Sequence, residues 1–582
     1  MIGARYIYTV LFAFGSFLAF SQGVPATNPE GGAAAGATEG TESEERQPGK
    51  YALKVSGGFS FGGELYGVDG IGNRRSPWSY TTSGQLGLSV GKFRLPISFT
   101  YRDRQFAYDF TFNRFGMSPT LGWATLHLGW RNMNFSPYTL GGRTFFGVGT
   151  ELRPGKFYVG ALYGTIQNPL AIRDSLTFGA NLIPIFSRKL YGAKVGFRNG
   201  KHHLEVMAVK IFDDETTFDY PENYDERGYQ ILTPKENVVA GVNAGFELLK
   251  TLEVYFRTGL TAYTNDLNDP LTGTIAGSIP DQYEDLLTVN TSSRITFAGD
   301  GGVNLTVKGT KVGVQYRRVE PFYTTLATQF FPNDIEQYTA LLSTGLFNRK
   351  LLLTGRVGLE RNNLRGYRTS EVERVIVNAT AGWRPTDDWN WNLRFANFTT
   401  NANPRVLELN DTLRYVTVNT SAALNGSYVI RKPDRDLRLS MYLNHSGVDD
   451  QSLVQRLTEL DTYAGTLSAL WTWKDTGMTL GPSLQYYRYN LPATNQERFG
   501  LGLNVGRAFW DKRLMATLGS TLSQNDVGGL RDGTVGLHRL RFRYRLGKKQ
   551  SVTLSNSYRH VHSITRRSFR EWRSQLRYGL RF

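Results

Sequence analysis

From Lys50 to Phe582 the chain is written in segments of about ten residues in which apolar positions alternate with Gly, Ser, Thr, Asn and charged ones. Leu53, Val55, Phe59, Phe61 and Leu65 form one such set, and Val238, Ala240, Val242, Ala244, Phe246 and Leu248 another. Ile295, Phe297, Val303, Leu305 and Val307 form a third. A period of two sends successive side chains to opposite faces of an extended chain, so the pattern predicts strands with one apolar and one polar face. The connections alternate too. Short ones, such as Gly91-Lys92, Asn199-Gly200-Lys201, Gly309-Thr310 and Gly547–Lys549, have hairpin-turn chemistry. Long ones, such as 213–236 and 265–290, are acidic, aromatic or Gly-rich. Between the turns at 155 and 548 lie nine hairpin units of about 44 residues each.

A regular unit of that length also suits a propeller blade or a solenoid repeat. A blade packs four strands into its unit, whereas this one holds two long strands. The apolar phase is bulky and the other phase small and polar, the reverse of a soluble barrel with its core inside. Short turns alternating with long loops are the layout of an outer-membrane barrel. Its antiparallel strands must close on themselves, because an open edge in lipid leaves backbone groups unpaired. The expected fold class is therefore all-β, a transmembrane antiparallel up-and-down β-barrel. Both ends of the barrel should face one side, which makes the strand number even. Residues 143–582 supply 21 strands and residues 50–102 three more. The stretch 104–131 sets the total: 26 if QFAYDFTFN and GWATLHLGW form a hairpin turning at Met117-Ser118-Pro119, 24 if it folds into the lumen as a loop. The hairpin, and 26, is the preferred reading. With strands ~4.8 Å apart and tilted ~40°, the cylinder is roughly 50 Å wide, too wide for side chains alone to fill.

Composition adds a compartment. The 582 residues include no cysteine, which excludes disulfide scaffolds, thiolate metal sites, cysteine nucleophiles and a lipoprotein anchor. Hydrophobic content is 40%, and beyond residue 21 no run approaches the ~18 apolar residues of a membrane helix. The 63 Gly, 10 Trp, 31 Tyr and 35 Phe, with charge held to 20%, suit all-β architecture. At the N-terminus Arg5 precedes the apolar stretch Tyr6–Phe20, and Ala19-Phe20-Ser21 stands before Gln22, so residues 1–21 read as a secretory signal peptide. Residues 22–49 hold one branched aliphatic side chain, Val24, and are expected to be a disordered periplasmic tail ahead of a barrel over 50–582.

On the last strand Trp572, Ser574, Leu576, Tyr578, Leu580 and Phe582 alternate outward and end on a C-terminal Phe. This pattern is similar to the terminal signal of Gram-negative outer-membrane barrels. The resemblance implies that Tyr578, Leu580 and Phe582 are read by the barrel-assembly machinery. Residues 110–164, FTFNRFGMSPTLGWATLHLGWRNMNFSPYTLGGRTFFGVGTELRPGKFYVGALYG, resemble large barrels of the Bacteroidota, a group without settled function, as does a signal peptide ending before Gln22. TonB-dependent receptors differ, because a plug domain precedes their barrels and none stands here. The lipopolysaccharide-translocon barrel is similar in strand number but has a soluble N-terminal β domain and cysteines that this chain lacks.

Charge is unevenly placed. Residues 533–582 hold thirteen Lys and Arg against Glu571 alone, which is +12 of the chain's +17. Arg539, Arg541, Arg543 and Arg545 alternate with Leu540, Phe542, Tyr544 and Leu546, so all four guanidinium groups share a face. An outward Arg at bilayer mid-depth costs about 2–4 kcal/mol, so the apolar set faces lipid and the arginines line the lumen. Arg573, Arg577 and Arg581 repeat the arrangement on the closing strand. Two readings stand side by side: a basic wall that attracts anionic solute, polysaccharide, lipid head groups or an acidic partner, or arginines neutralised by acids from inward loops that merely fill space. Residues 213–236, with eight acids and two bases, read as a solvated outer loop, with cation binding or folding against the arginines as alternatives.

Catalytic chemistry finds little support. His560-x-His562 lacks a third ligand, and the adjacent Asn444, His445 and Ser446 of a lipase-like trio cannot share a strand face. Gly87-x-x-x-Gly91-Lys92 and Gly196-x-x-x-Gly200-Lys201 fall one residue short of a phosphate loop and lie on hairpins. Trp123, Trp130, Trp383, Trp389, Trp391, Trp471 and Trp473 read as interfacial girdle, with sugar stacking as the alternative. The expectation is a non-enzymatic chain with no cofactor and no metal. It is either a wide pore for anionic or bulky hydrophilic cargo, or a structural subunit whose plugged barrel binds an envelope partner protein. Outer-membrane lipid, lipopolysaccharide and the barrel-assembly machinery are the expected partners, and nothing points to nucleic acid.

Overall fold

The computed structural model describes residues 52–103, 113–169, 185–217, 232–270, 287–328, 332–404, 415–452 and 459–582. The signal peptide, the tail, and QFAYDFTFN except for Asn113 lie outside them. The described residues form strands β1 (Lys54–Asp69), β2 (Trp78–Val90), β3 (Phe93–Arg102), β4 (Arg114–Met117), β5 (Thr120–Leu121), β6 (Ala124–Asn132), β7 (Thr144–Leu152), β8 (Phe157–Gln167) and β9 (Arg188–Asn199). They continue with β10 (His202–Asp213), β11 (Glu236–Leu249), β12 (Leu252–Thr264), β13 (Ser293–Val307), β14 (Thr310–Val319), β15 (Ile335–Leu346), β16 (Leu351–Asn362), β17 (Ser370–Trp383) and β18 (Trp389–Pro404). The remainder are β19 (Tyr415–Arg431), β20 (Arg435–Asp450), β21 (Leu460–Trp473), β22 (Thr479–Asn490), β23 (Asn495–Phe509), β24 (Leu514–Val527), β25 (Leu530–Arg545), β26 (Gln550–Ser563) and β27 (Phe569–Arg581). One 3-10 turn, Glu215–Thr217, is the only helical element among the described residues.

Each strand pairs antiparallel with its neighbours in the chain, and β1 pairs with β27 from Gly58↔Arg581 to Asp69↔Arg570, which closes the sheet. β4 and β5 both lie between β3 and β6, so they are two pieces of one strand and the closed barrel has 26 strand positions. The count of 26 agrees with expectation, but the turn does not lie at Met117-Ser118-Pro119. Met117 ends β4 and Ser118-Pro119 interrupts the strand, because Pro119 has no N–H for the ladder. The reversal comes at Gly122-Trp123, where Gly122 takes φ +59° and Leu121 pairs with Ala124.

The outward phase is apolar along the whole circumference. Leu53, Val55, Phe61 and Leu65 are exposed as the alternation predicts, as are Leu305, Val307, Leu518 and Leu576. A closed antiparallel wall with such an outer face is stable only in lipid, which makes this a transmembrane barrel of the outer-membrane type. Trp383 and Trp391 are cross-strand partners near the short-turn end, and Trp389 stacks on Trp391 at 5.8 Å and on Tyr428 at 4.3 Å. Such rings at strand ends suit a membrane interface.

The inward phase departs from expectation. From β16 round to β3 it is mostly polar, with arginines and a few tyrosines among small residues, but from β7 to β15 much of it is apolar and buried. Leu162, Leu190, Met207, Val209, Ile211 and Val239 lie in one cluster with Met133, Phe135 and Leu140 of the β6–β7 connection. A second cluster joins Tyr138 to Ala298, Val319, Tyr323 and Ile335. The interior of this half is therefore a packed core built by two connections folded against the wall.

Candidate functional site

The β6–β7 connection, residues 133–143, and the first part of the β14–β15 connection, residues 320–328, touch each other as well as the wall. Gly141 and Thr328 form a parallel β-bridge. The Thr325 hydroxyl donates to the Thr139 carbonyl at 2.8 Å, and the Tyr323 hydroxyl to the Tyr138 carbonyl at 2.6 Å. Wall side chains take up further backbone groups: Asn243 Nδ2 donates to Phe135 O, Thr261 Oγ1 to Thr324 O, and Leu326 N to Asn237 Oδ1. Small wall residues make room, since a Cβ at Gly241 would stand 2.7 Å from Thr139 Cγ2 and one at Gly149 2.5 Å from Met133 Sδ. Together the two connections form a strap with its own satisfied polar groups, as a buried loop requires.

One buried carboxylate anchors it. Asp300 on β13 accepts from the Tyr138 hydroxyl at 2.8 Å, from Arg257 Nε and Nη2 at 3.1 and 2.8 Å, and from Gln315 Nε2 at 3.0 Å. Four donors offset the cost of removing the charge from water. Burial, and then the adjacent Asp300 carboxylate, push the Tyr138 phenol pKa well up, and burial does the same to Tyr323.

The opposite half of the lumen is lined differently. Arg539, Arg541, Arg543 and Arg545 share the inward face of β25 and are exposed. In register beside them on β26 stand Ser557, Ser555, Thr553 and Ser551. Beyond these on β27 come Arg573, Gln575, Arg577 and Gly579. A column of hydroxyls thus separates two columns of arginine, about 10 Å apart at the usual strand spacing. Arg581 continues the second column opposite Gly58. The acid that sequence proximity did not reveal is Glu64 on β1, which meets Arg573 Nη2 at 2.6 Å and Gln575 Nε2 at 2.8 Å. Among the described residues Arg539, Arg541, Arg543, Arg545, Arg577 and Arg581 form no ion pair. Guanidinium groups about 7 Å apart repel by only ~0.6 kcal/mol at the dielectric of water, against several-fold more in a dry interior, so this wall is built to be wet.

The basic surface extends beyond β25 and β27. Arg356, Arg394, Arg438, Arg498 and Arg559 also take the inward phase, one each on β16, β18, β20, β23 and β26. They are one to a strand rather than a ladder, so strand phase, carried from one strand to the next, is the signal that finds them.

The other candidates fall where their phase puts them. Tyr578 and Leu580 point outward opposite Phe61 and Phe59, and Phe582 exchanges backbone hydrogen bonds with Gly57 at 3.2 Å. His560 and His562 lie on strand β26. His445 faces outward, bonded to Asp461 at 3.2 Å, away from Asn444 and Ser446. Gly91, Gly200 and their lysines sit in tight turns. Residues 218–231 of the acidic loop lie outside the described residues, but acids at its feet are paired, Asp213 with Arg188 at 2.7 Å, Asp214 with Lys189 at 2.6 Å and Glu236 with Lys210 at 2.6 Å. The Lys189 ammonium holds Asp214 below the usual carboxylate range.

No family model and no curated protein matches this chain. Among solved structures it is similar to the P pilus usher (PapC) translocation pore, with 11% identity, 91% of this chain and 99% of that one covered, and a TM-score of 0.37. It is also similar to the FrpB iron transporter from Neisseria meningitidis, with 10% identity, 90% and 82% coverage and a TM-score of 0.34. For OprD from Pseudomonas aeruginosa the values are 10%, 60% and 90%, and 0.28. At these values the likeness is one of barrel architecture.

Proposed function

We propose that this chain is an outer-membrane pore that passes anionic, hydrophilic cargo along a basic half-lumen. The observation that carries the reading is the asymmetry of the interior. A strap with its own core fixes one half, while the other keeps two columns of arginine, six of the seven without an ion pair among the described residues. Filler arginines would be neutralised, as Arg573 is by Glu64. Free ones raise the local concentration of anions and lower their barrier to passage. Tyr578, Leu580 and Phe582 are the contacts offered to the barrel-assembly machinery, and lipid with lipopolysaccharide surrounds the apolar wall. No catalytic role is assigned to any residue. Reconstitution of the purified chain in a planar bilayer tests the pore: stable conductance steps support it, and a silent bilayer would favour a structural subunit that binds an envelope partner.

A further inference from the structure

We infer that the cargo is an acidic glycan, gripped on a tyrosine–arginine strip of the open wall between β20 and β24; the inference rests on the pore reading and names its substrate class. On the inner face Asn444, Ala464, Tyr487, Arg498 and Asn525 are successive partners in one register row. The row beside it, toward the short turns, runs Tyr442, Thr466, Gln485, Gly500 and Ser523. Tyr489 stands on the other side of Tyr487 along β22, opposite Thr462 and Gln496. Three tyrosine rings therefore project into the lumen within two adjacent rows and their edge, all partly exposed. Ala464 and Gly500 stand between the larger side chains in the two rows. Arg498 Nε donates to Asn525 Oδ1 at 2.7 Å, and among the described residues its two Nη groups have no hydrogen-bond partner. Arg438 lies further down β20 on the same face, exposed.

Each part of this strip matches one part of an acidic sugar. A tyrosine ring offers an apolar face to the C–H side of a pyranose and a hydroxyl to its rim. Carboxamides and hydroxyls, here Asn444, Gln485, Thr466 and Ser523, both donate and accept, as sugar hydroxyls do. A guanidinium edge pairs two oxygens of a carboxylate or sulfate at once. A small inorganic anion uses the arginines and ignores the rings; a neutral glycan uses the rings and ignores the arginines. The indoles first considered for sugar stacking are not part of this surface, because Trp383, Trp391 and Trp471 take the outward phase.

The test uses the full chain with oligogalacturonate, a neutral malto-oligosaccharide of equal length and polyphosphate as probes. Binding is read by calorimetry in detergent and, where the chain conducts, by current block in a bilayer. Oligogalacturonate is expected to bind at least tenfold more tightly than either comparison probe. The triple variant Tyr442→Ala, Tyr487→Ala, Tyr489→Ala should lose most of that advantage, and Arg498→Gln at least threefold in affinity. Retention of heat-modifiable gel mobility shows that the variants are folded. Equal binding of polyphosphate and oligogalacturonate would overturn the inference in favour of charge alone, and a conducting chain indifferent to all three probes would overturn it outright. A chain that binds the glycan but never conducts would overturn the pore and leave the strip standing.

Discussion

The Tyr138 hydroxyl donates to Asp300 Oδ1 at 2.8 Å, joining a loop residue to a barrel-wall residue 162 positions away in the chain. This bond, with the Tyr323 bond to the Tyr138 carbonyl, ties the strap to the one carboxylate at its base. Tyr138→Phe removes a hydrogen bond to a charged acceptor, worth about 1.5–3 kcal/mol. Asp300 keeps Arg257 and Gln315, so the barrel should remain folded. The expected outcome is amide exchange across residues 133–143 at least tenfold faster, with the β24–β27 ladder unchanged. Unchanged exchange in the strap would show that the bond does not anchor it.

The same two phenols set an alkaline limit. Their folded pKa values are raised above the ordinary value near 10, while in a released strap they return to it. The strap's stability is therefore complete below about pH 10 and declines as pH climbs from there toward the folded values. Tyrosinate absorbance should show two groups ionising late, together with the onset of protease cleavage within 133–143. Cleavage that begins while both phenols are still protonated would contradict this.

Absence of cysteine gives a clean background for a cross-link. Gly141 and Thr328 are bridge partners, so Cys at both positions should oxidise to a disulfide with only a small shift, since a Cβ at Gly141 stands 3.1 Å from Ser136 O. If the strap is a fixed part of the wall, oxidation leaves conductance within about twofold of the reduced form. A large fall or rise on oxidation would identify the strap as a gate.

The strands and their faces were legible because lipid enforces the period of two: Leu53, Val55, Phe61 and Leu65 can only be one face. The inward arginines of β25 followed from the same rule applied to Leu540 and Phe542. The strap was not read, although β10 carried a trace of it. In His202–Asp213 Val206 and Ala208 face outward while Met207, Val209 and Ile211 are buried inside, so that Val206–Val209 is apolar on both phases, as in a strand covered on both faces. What covers it, Met133, Phe135 and Leu140, shows no periodicity of its own and becomes apolar core only in contact. Pro119 misled in the other direction: proline commonly marks a turn, but here it breaks a strand whose turn is made by Gly122. The pairing of Glu64 with Arg573 depends on barrel closure, which joins residues 509 positions apart.

On the proposed function the open half-lumen selects anions through arginines that form no ion pair among the described residues. Reversal potential across a bilayer holding the purified chain in a potassium chloride gradient measures this most directly. The account predicts a chloride-favouring potential that moves at least halfway to zero when Arg539, Arg541, Arg543 and Arg545 are all replaced by Ser. A cation-favouring potential in the unaltered chain, or one that the four substitutions leave in place, would contradict it.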